Sequence, residues 1–294
     1  MNFLVFIIVY PIIWFLSILP MRVLYVFSDL IYGILYYIIG YRKKVVRHNL
    51  QLCFPEKTSQ ELLEIEKKSF HHFIDIFMEM IKSFTISKNQ ISKRFIFHNA
   101  EVINDFYKKH KSVIIMGGHY ANWEWATLYL PQIIDHDGYG AFKKIKNKYF
   151  DNKIKQSRNR FGAILVATKD FIKLMTKHAK DKHLAVYGLL SDQSPKLSKT
   201  HYWRKFMGVE VPVQTGPEML SKKFDIPVIY LQTERVKRGY YEAKVKILAE
   251  DPKAFKNYQI TDLFTEELEK QIRKNPEFYF WTHKRFKHMK AKSS

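Results

Sequence analysis

The hydrophobic pattern divides the chain sharply near its amino end. No charged side chain occurs from Met1 to Met21, and Phe3 to Leu19 is almost continuously apolar. A run of this kind is close to the roughly 17 to 25 residues that cross a bilayer. An exported leader would carry positive charge before the run and small residues at a cleavage point, and neither is present. Pro11 kinks such a helix without forbidding it in lipid. A second apolar run, Val23 to Tyr41, contains Asp29 as its only charge and is rich in aromatics (Tyr25, Phe27, Tyr32, Tyr36, Tyr37), which suit the headgroup interface. Arg42, Lys43, Lys44 and Arg47 follow, and by the positive-inside tendency they lie on the cytoplasmic side. We expect residues 1–45 to form a membrane anchor and interfacial segment, with the first run spanning or pairing hairpin-like with the second. Residues 46–294 then form one domain against the inner leaflet.

Beyond the anchor the apolar positions alternate between helical and strand spacing. Phe54-Pro55-Glu56-Lys57-Thr58 reads as a turn, and Thr58 or Ser59 caps a helix to about Ser83 in which Leu62, Ile65, Phe70, Phe73, Phe77 and Met80 recur at helical spacing. Strands are expected at 112–116, 139–142, 163–167, 184–190, 227–231 and 240–248. Helices are expected from about Asn122, at 147–161, 170–179, 217–224 and 261–274. Strands alternating with helices predict an α/β fold with a sheet covered on both faces. In open sheets of this kind ligands sit beyond the carboxyl ends of strands. Gly117-Gly118-His119 and Ser191-Asp192-Gln193 both fall at such ends.

Composition narrows the partners. Lys and Arg number 49 against 28 Asp and Glu, for a net charge of +21, and aromatic residues make up 16% of the chain. Such an excess predicts an anionic partner: nucleic acid, anionic lipid or an acidic carrier protein. No helix-turn-helix, zinc finger or aromatic RNA-binding signature is present, so nucleic acid is not expected. The single cysteine, Cys53, excludes an intramolecular disulfide and a cysteine-based metal cluster.

The sharpest chemical signal is Gly117-Gly118-His119-Tyr120-Ala121-Asn122-Trp123-Glu124. It sets a histidine just after a strand and an acid in the first turn of the following helix. A carboxylate at that spacing can bend back to hold one imidazole tautomer, leaving the other ring nitrogen to take a proton from a hydroxyl. Gly117 and Gly118 let a substrate approach the backbone, and Asn122 and Trp123 open a helix whose amides suit an anion. Either Arg158 or Arg160 can stabilise an oxyanion or hold a phosphate. Asp192 can orient a substrate or the arginines, with Gln193 beside it. Thr215 or Gly216 caps the helix at 217–224 and faces the site. His119 has no histidine at one-turn spacing, so a catalytic metal is not expected.

These motifs, in this order, resemble the lipid A biosynthesis acyltransferases, the lauroyl/myristoyl transferase family. The resemblance also includes Arg47-His48-Asn49-Leu50-Gln51-Leu52-Cys53-Phe54-Pro55, Lys146 to Asp151, Phe206-Met207-Gly208 and the closing Pro276 to Lys287. It implies a glycerolipid-acyltransferase-like mixed sheet at the cytoplasmic face of the inner membrane. Acyl carrier protein is the implied donor and a lipid A precursor the acceptor. On that pattern His119 is the general base, Glu124 orients it, Arg158 or Arg160 meets the oxyanion and Asp192 supports the site, with no cofactor, metal or acyl-enzyme. The chain departs from the family at Ala141-Phe142-Lys143-Lys144-Ile145, where many members carry aromatic-Arg-Pro. Acylation of another membrane lipid and a non-catalytic lipid-binding scaffold are the alternatives.

Overall fold

A computed structural model describes residues 2–290; residues 1 and 291–294, the outer ends of the two expected segments, lie outside it. In chain order the elements are α1 (Asn2–Ile18), α2 (Met21–Gly33), α3 (Lys43–Cys53), α4 (Ser59–Lys82), α5 (Lys88–Ser92), β1 (Phe95–Phe97), α6 (Glu101–Lys108), β2 (Val113–Gly117), α7 (Trp123–Tyr129) and β3 (Asp137–Phe142). They continue with α8 (Lys148–Asn159), β4 (Ile164–Ala167), α9 (Phe171–Asp181), β5 (Ala185–Leu190), β6 (Trp203–Phe206), β7 (Val209–Pro212), α10 (Gly216–Phe224), β8 (Val228–Lys237), β9 (Tyr240–Ala249) and α11 (Gln259–Lys274).

Seven strands form one sheet in the order β1-β9-β8-β2-β5-β3-β4. Every pairing is parallel except β8 with β9, so the sheet is mixed and mostly parallel. The central strand β2 is buried throughout. Ile114 and Met116 point into one apolar cluster and Val113 and Ile115 into the other, as the two-residue repeat of a doubly covered strand requires. The expected strands and helices are present with ends shifted by a few residues. The largest shift of an expected end is at β8, which runs six residues past Leu231 because it pairs along its length with β9.

α4 is the spine of the N-terminal half. Its start is a reciprocal capping box, in which Thr58 and Glu61 satisfy each other's exposed donors. The two apolar runs pack along it. The second run is the longer helix: Met21–Ile39 is continuous over 19 residues and apolar enough to cross a membrane, although its last six residues widen into a π-helix that ends at Gly40 in the left-handed conformation. The first run, expected as the span, makes the 17-residue α1, about 25 Å long at 1.5 Å per residue and shorter than the roughly 30 Å of a bilayer core.

Neither helix stands free. Lys82 donates to the carbonyls of Ser17 and Leu19 at 2.9 and 2.8 Å and so caps the end of α1. Ser28 and Tyr36 of the second run donate to Asp75 and Glu66 of α4 at 2.7 and 2.9 Å. The opposite faces are bare and apolar: Leu4, Ile8, Val26 and Ile38 are 65%, 65%, 67% and 79% exposed. The basic cluster is partly consumed by the fold, because Arg47 pairs with Glu66 at 3.0 Å and Arg42 donates to the Thr282 carbonyl at 2.9 Å.

Candidate active site

The registry of the two central parallel strands builds the site. Gly117 at the end of β2 lies opposite Leu190 at the end of β5. Two residues beyond each come His119 and Asp192, so the same offset from paired positions brings them together. His119 Nδ1 lies 2.7 Å from Asp192 Oδ1. The carboxylate is almost completely buried, at 1% exposure, while the imidazole is 19% exposed. Burial pushes the Asp192 carboxyl up, but the charge and hydrogen bond of His119 outweigh it and hold it below the ordinary carboxylate value. Burial likewise pushes His119 down, and the Asp192 carboxylate outweighs it, leaving the imidazole above its ordinary 6.5. An ionised Asp192 accepts from Nδ1–H, which fixes the tautomer and leaves the Nε2 lone pair outward. Gln193 donates to that nitrogen at 3.3 Å, a long contact that an incoming hydroxyl can replace.

Glu124 was expected to hold His119; its carboxylate pairs instead with the Arg158 guanidinium. Asn122 caps α7 through the Trp125 N–H, and Glu124, in the first turn, faces Arg158 on α8. Both are mostly shielded, at 15% and 17% exposure. Glu124 therefore reaches His119 only as a nearby negative charge, the smallest of the contributions that raise its pKa. Of the two arginines, Arg158 borders the site. Arg160 turns the other way and donates to the carbonyls of Phe84 and Ile86, which removes it from the site.

Beside this group opens a cavity of about 370 Å³. His119, Trp123, Glu124, Arg158 and Lys143 are among its polar and amphipathic lining. The rest is largely apolar, including Ile115, Leu130, Ile134, Tyr139, Leu165 and Val186. The lining runs from the carboxyl ends of the strands (Gly117, Leu190) back to Ile115 and Val186. Val186 to Leu190 alone is four steps along a strand, about 13 Å at roughly 3.3 Å each. A slot of this length and lining has room for an extended hydrocarbon.

The remaining expected residues divide. Gly117, Gly118 and Trp123 line the cavity. Gly118 also has a packing reason to be glycine, since a Cβ there would come within 2.7 Å of Leu268 on α11. Asn122 was expected to bind substrate, but it is fully buried and its amide is committed to Glu79 and the α7 cap. Thr215 and Gly216 open α10, with Thr215 bordering a separate pocket with His201 and Lys222, and neither lines the cavity beside His119. Sequence reasoning gave no role to Glu79 or Arg285. The buried Arg285 donates to Ser194 and the Pro212 carbonyl at 3.3 and 2.9 Å, bracing the loop that carries Asp192. Its signal was available in the aromatic and basic closing motif.

A largely shielded imidazole–carboxylate pair thus lies beside an apolar slot at the strand ends of a mixed α/β sheet, an arrangement suited to acid–base chemistry next to an apolar group. The family model for bacterial lipid A biosynthesis acyltransferase matches residues 2–288, and the chain belongs to that family. It is therefore an acyltransferase, and its family's acyl transfer belongs to lipid A biosynthesis. The chain is 24% identical over 247 residues to the lipid A biosynthesis lauroyltransferase of Escherichia coli strain K12, covering 84% of this chain and 79% of that one. It is 25% identical over 254 residues to the lipid A biosynthesis acyltransferase of Haemophilus influenzae, covering 83% and 76%.

Proposed function

We propose that the protein transfers a fatty acyl chain from an acyl thioester, carried by acyl carrier protein, to a hydroxyl of a lipid A precursor, with His119 as general base and Asp192 as its partner. The observation that carries this reading is the 2.7 Å His119–Asp192 contact at the edge of an apolar cavity. The acyl chain lies in the cavity with its thioester carbonyl beside Arg158. His119 Nε2 takes the proton of the acceptor hydroxyl as its oxygen attacks that carbonyl. The new ester C–O bond forms, and negative charge collects on the carbonyl oxygen, where the Arg158 guanidinium, held in place by Glu124, donates to it. Collapse breaks the C–S bond, and the departing thiolate takes the proton back from the imidazolium, so the enzyme ends unchanged. A thioester is already activated, and a positioned base supplies typically about 10²–10⁴-fold.

The bare apolar faces of α1 and of residues 21–39 support attachment to a membrane. The cluster at Arg42, Lys43 and Lys44 supports a catalytic domain on the cytoplasmic side of the inner membrane. The net charge of +21 favours the acidic carrier and a phosphorylated acceptor.

The test is transfer of a labelled acyl chain from acyl carrier protein to a panel of lipid acceptors, with His119→Ala in parallel. The variant is expected to fold, keep its membrane association and lose at least 10²-fold in turnover, on the scale of general-base catalysis. Undiminished transfer by His119→Ala removes the general-base assignment. Transfer to another lipid, and not to the lipid A precursor, replaces the acceptor.

A further inference from the structure

α4 carries a buried carboxylate that the chemistry above does not use. Glu79 has no exposed surface. Its Oε1 accepts from the hydroxyl of Tyr25 on α2 at 2.7 Å. Its Oε2 accepts from the side-chain amide of Asn122 at 2.6 Å and from the hydroxyl of Tyr241 on β9 at 2.8 Å. The indole N–H of Trp125 donates to the Glu79 main-chain oxygen at 3.1 Å. The carboxylate is thus held by three groups from three other parts of the fold. An apolar side chain would fill this space without the desolvation cost of an acid. That cost is visible in the carboxyl, which burial pushes up to about 7.

What the acid holds lies between His119 and Glu124. Asn122 uses its oxygen to cap α7 at the Trp125 N–H, 2.8 Å away, and its amide hydrogens to reach Glu79. The preceding residue, Ala121, is in the left-handed region at φ 48°, a conformation that costs an alanine about 1 kcal/mol or more and persists only where the surroundings enforce it. The Ala121 N–H is tied to the Phe278 carbonyl at 3.0 Å, and the Asn122–Glu79 bond secures the other side. The same carboxylate is gripped by α2, whose outer face is apolar and uncovered. One turn earlier Asp75 accepts from Ser28 of α2, so α2 reaches α4 at two successive turns.

We propose that Glu79 is a positioning residue that fixes the turn between His119 and Glu124 and makes that turn depend on the docking of α2 against α4. The inference rests on the reading of His119 as the base. When α2 is seated, Tyr25 holds one carboxylate oxygen and directs the other at Asn122. When α2 lifts, Glu79 loses a donor, the cap of α7 loosens, and His119 and Glu124 lose their shared geometry. Turnover is therefore coupled to the seating of the apolar helix that contacts lipid.

The test uses the full chain in phosphatidylethanolamine–phosphatidylglycerol vesicles, with acyl-loaded carrier protein and a lipid A precursor, at a temperature where every variant is folded. Tyr25→Phe deletes one hydroxyl and is expected to lower kcat roughly three- to tenfold, the scale of one ordinary hydrogen bond, with KM for the carrier unchanged. Asn122→Ala is expected to lower it further, and the double variant to fall no lower than Asn122→Ala alone, since both act through one carboxylate. Glu79→Gln, which can still accept from Asn122, is expected to recover most of the turnover that Glu79→Ala loses. If Glu79→Ala does not fold, the Tyr25 and Asn122 variants decide. Unchanged kcat in Tyr25→Phe, or losses that multiply in the double variant, overturns the coupling while leaving the base reading intact. Wild-type turnover by His119→Ala in the same assay overturns both.

Discussion

The loops after β2 and β5 approach the site in opposite ways. The β2 loop is dense with chemistry, placing an imidazole and a carboxylate within one short stretch of chain, yet those two side chains do not bond to each other. The β5 loop offers a plain Ser-Asp-Gln, and its aspartate meets the imidazole at 2.7 Å across a sequence separation of 73. In a parallel sheet, residues at the same offset beyond paired strand ends are closer partners than residues near in sequence. Glu124 faces Arg158 because Asn122 begins α7 and turns the next residues toward α8. Each acid thus has its own partner, Asp192 the imidazole and Glu124 the guanidinium.

Substitutions separate these roles, and the largest effect belongs to the β5 loop. Asp192→Asn keeps the shape but no longer fixes the tautomer, and turnover is expected to fall on the order of 10²–10⁴-fold. The pH profile carries the sign. Asp192 raises the imidazole against the lowering effect of burial. The base is active when unprotonated, so kcat/KM is expected to rise with pH through a midpoint above 6.5 in the native protein. Without the aspartate charge burial prevails, and the midpoint moves below that value. A midpoint unmoved in Asp192→Asn would separate the two loops functionally, whatever their geometry.

Next in size is the arginine pair. Arg158→Ala is expected to cost about 10²–10³-fold in kcat, the scale of a lost oxyanion donor. Glu124→Gln keeps an acceptor for Arg158 and weakens a charge-assisted bond, for about a tenfold loss. It moves the pH midpoint in the same direction as Asp192→Asn but less, since its charge is the smaller influence on His119. If Glu124→Gln shifts the midpoint more than Asp192→Asn, the acids exchange places and the β2 loop is self-sufficient after all.

Much of this architecture was legible because its signals are local. Val113–Gly117 is an apolar run bounded by polar residues and glycine, and α4 announces itself by Thr58, Glu61 and a helical stripe. β1 escaped because it has three residues and exists through its pairing with Tyr241 to Ala243. The β6–β7 hairpin turns on Met207 and Gly208, both left-handed, and a methionine is a poor advertisement for such a turn. Within the site, His119 was legible from its strand end, and the pair Arg158 and Arg160, though not the choice between them, from the end of their helix. The bond to Asp192 was not, because strand order is a property of the whole sheet. Asn122 reads in sequence as the start of an anion-binding helix, and only the fold reveals the carboxylate that its amide meets.

The smallest effect extends the same registry down the strands. Gly140 of β3 lies opposite Gly188 of β5, and both border the cavity, so the absence of side chains there leaves room for hydrocarbon. A Cβ on Gly140 would sit 3.4 Å from Leu165 Cδ2, an ordinary contact, so Gly140→Ala is expected to fold normally and to narrow the slot by one methyl. The acyl tail then loses about one buried methylene, worth roughly 0.8 kcal/mol. In competition between donors that differ by two carbons, preference is expected to move toward the shorter chain by about fourfold, with little change in turnover on that shorter chain. Because the substitution touches neither loop, an equal loss on all chain lengths would mean that the acyl tail does not lie between β3 and β5. The strand-end pair would then remain, with its hydrocarbon bound elsewhere.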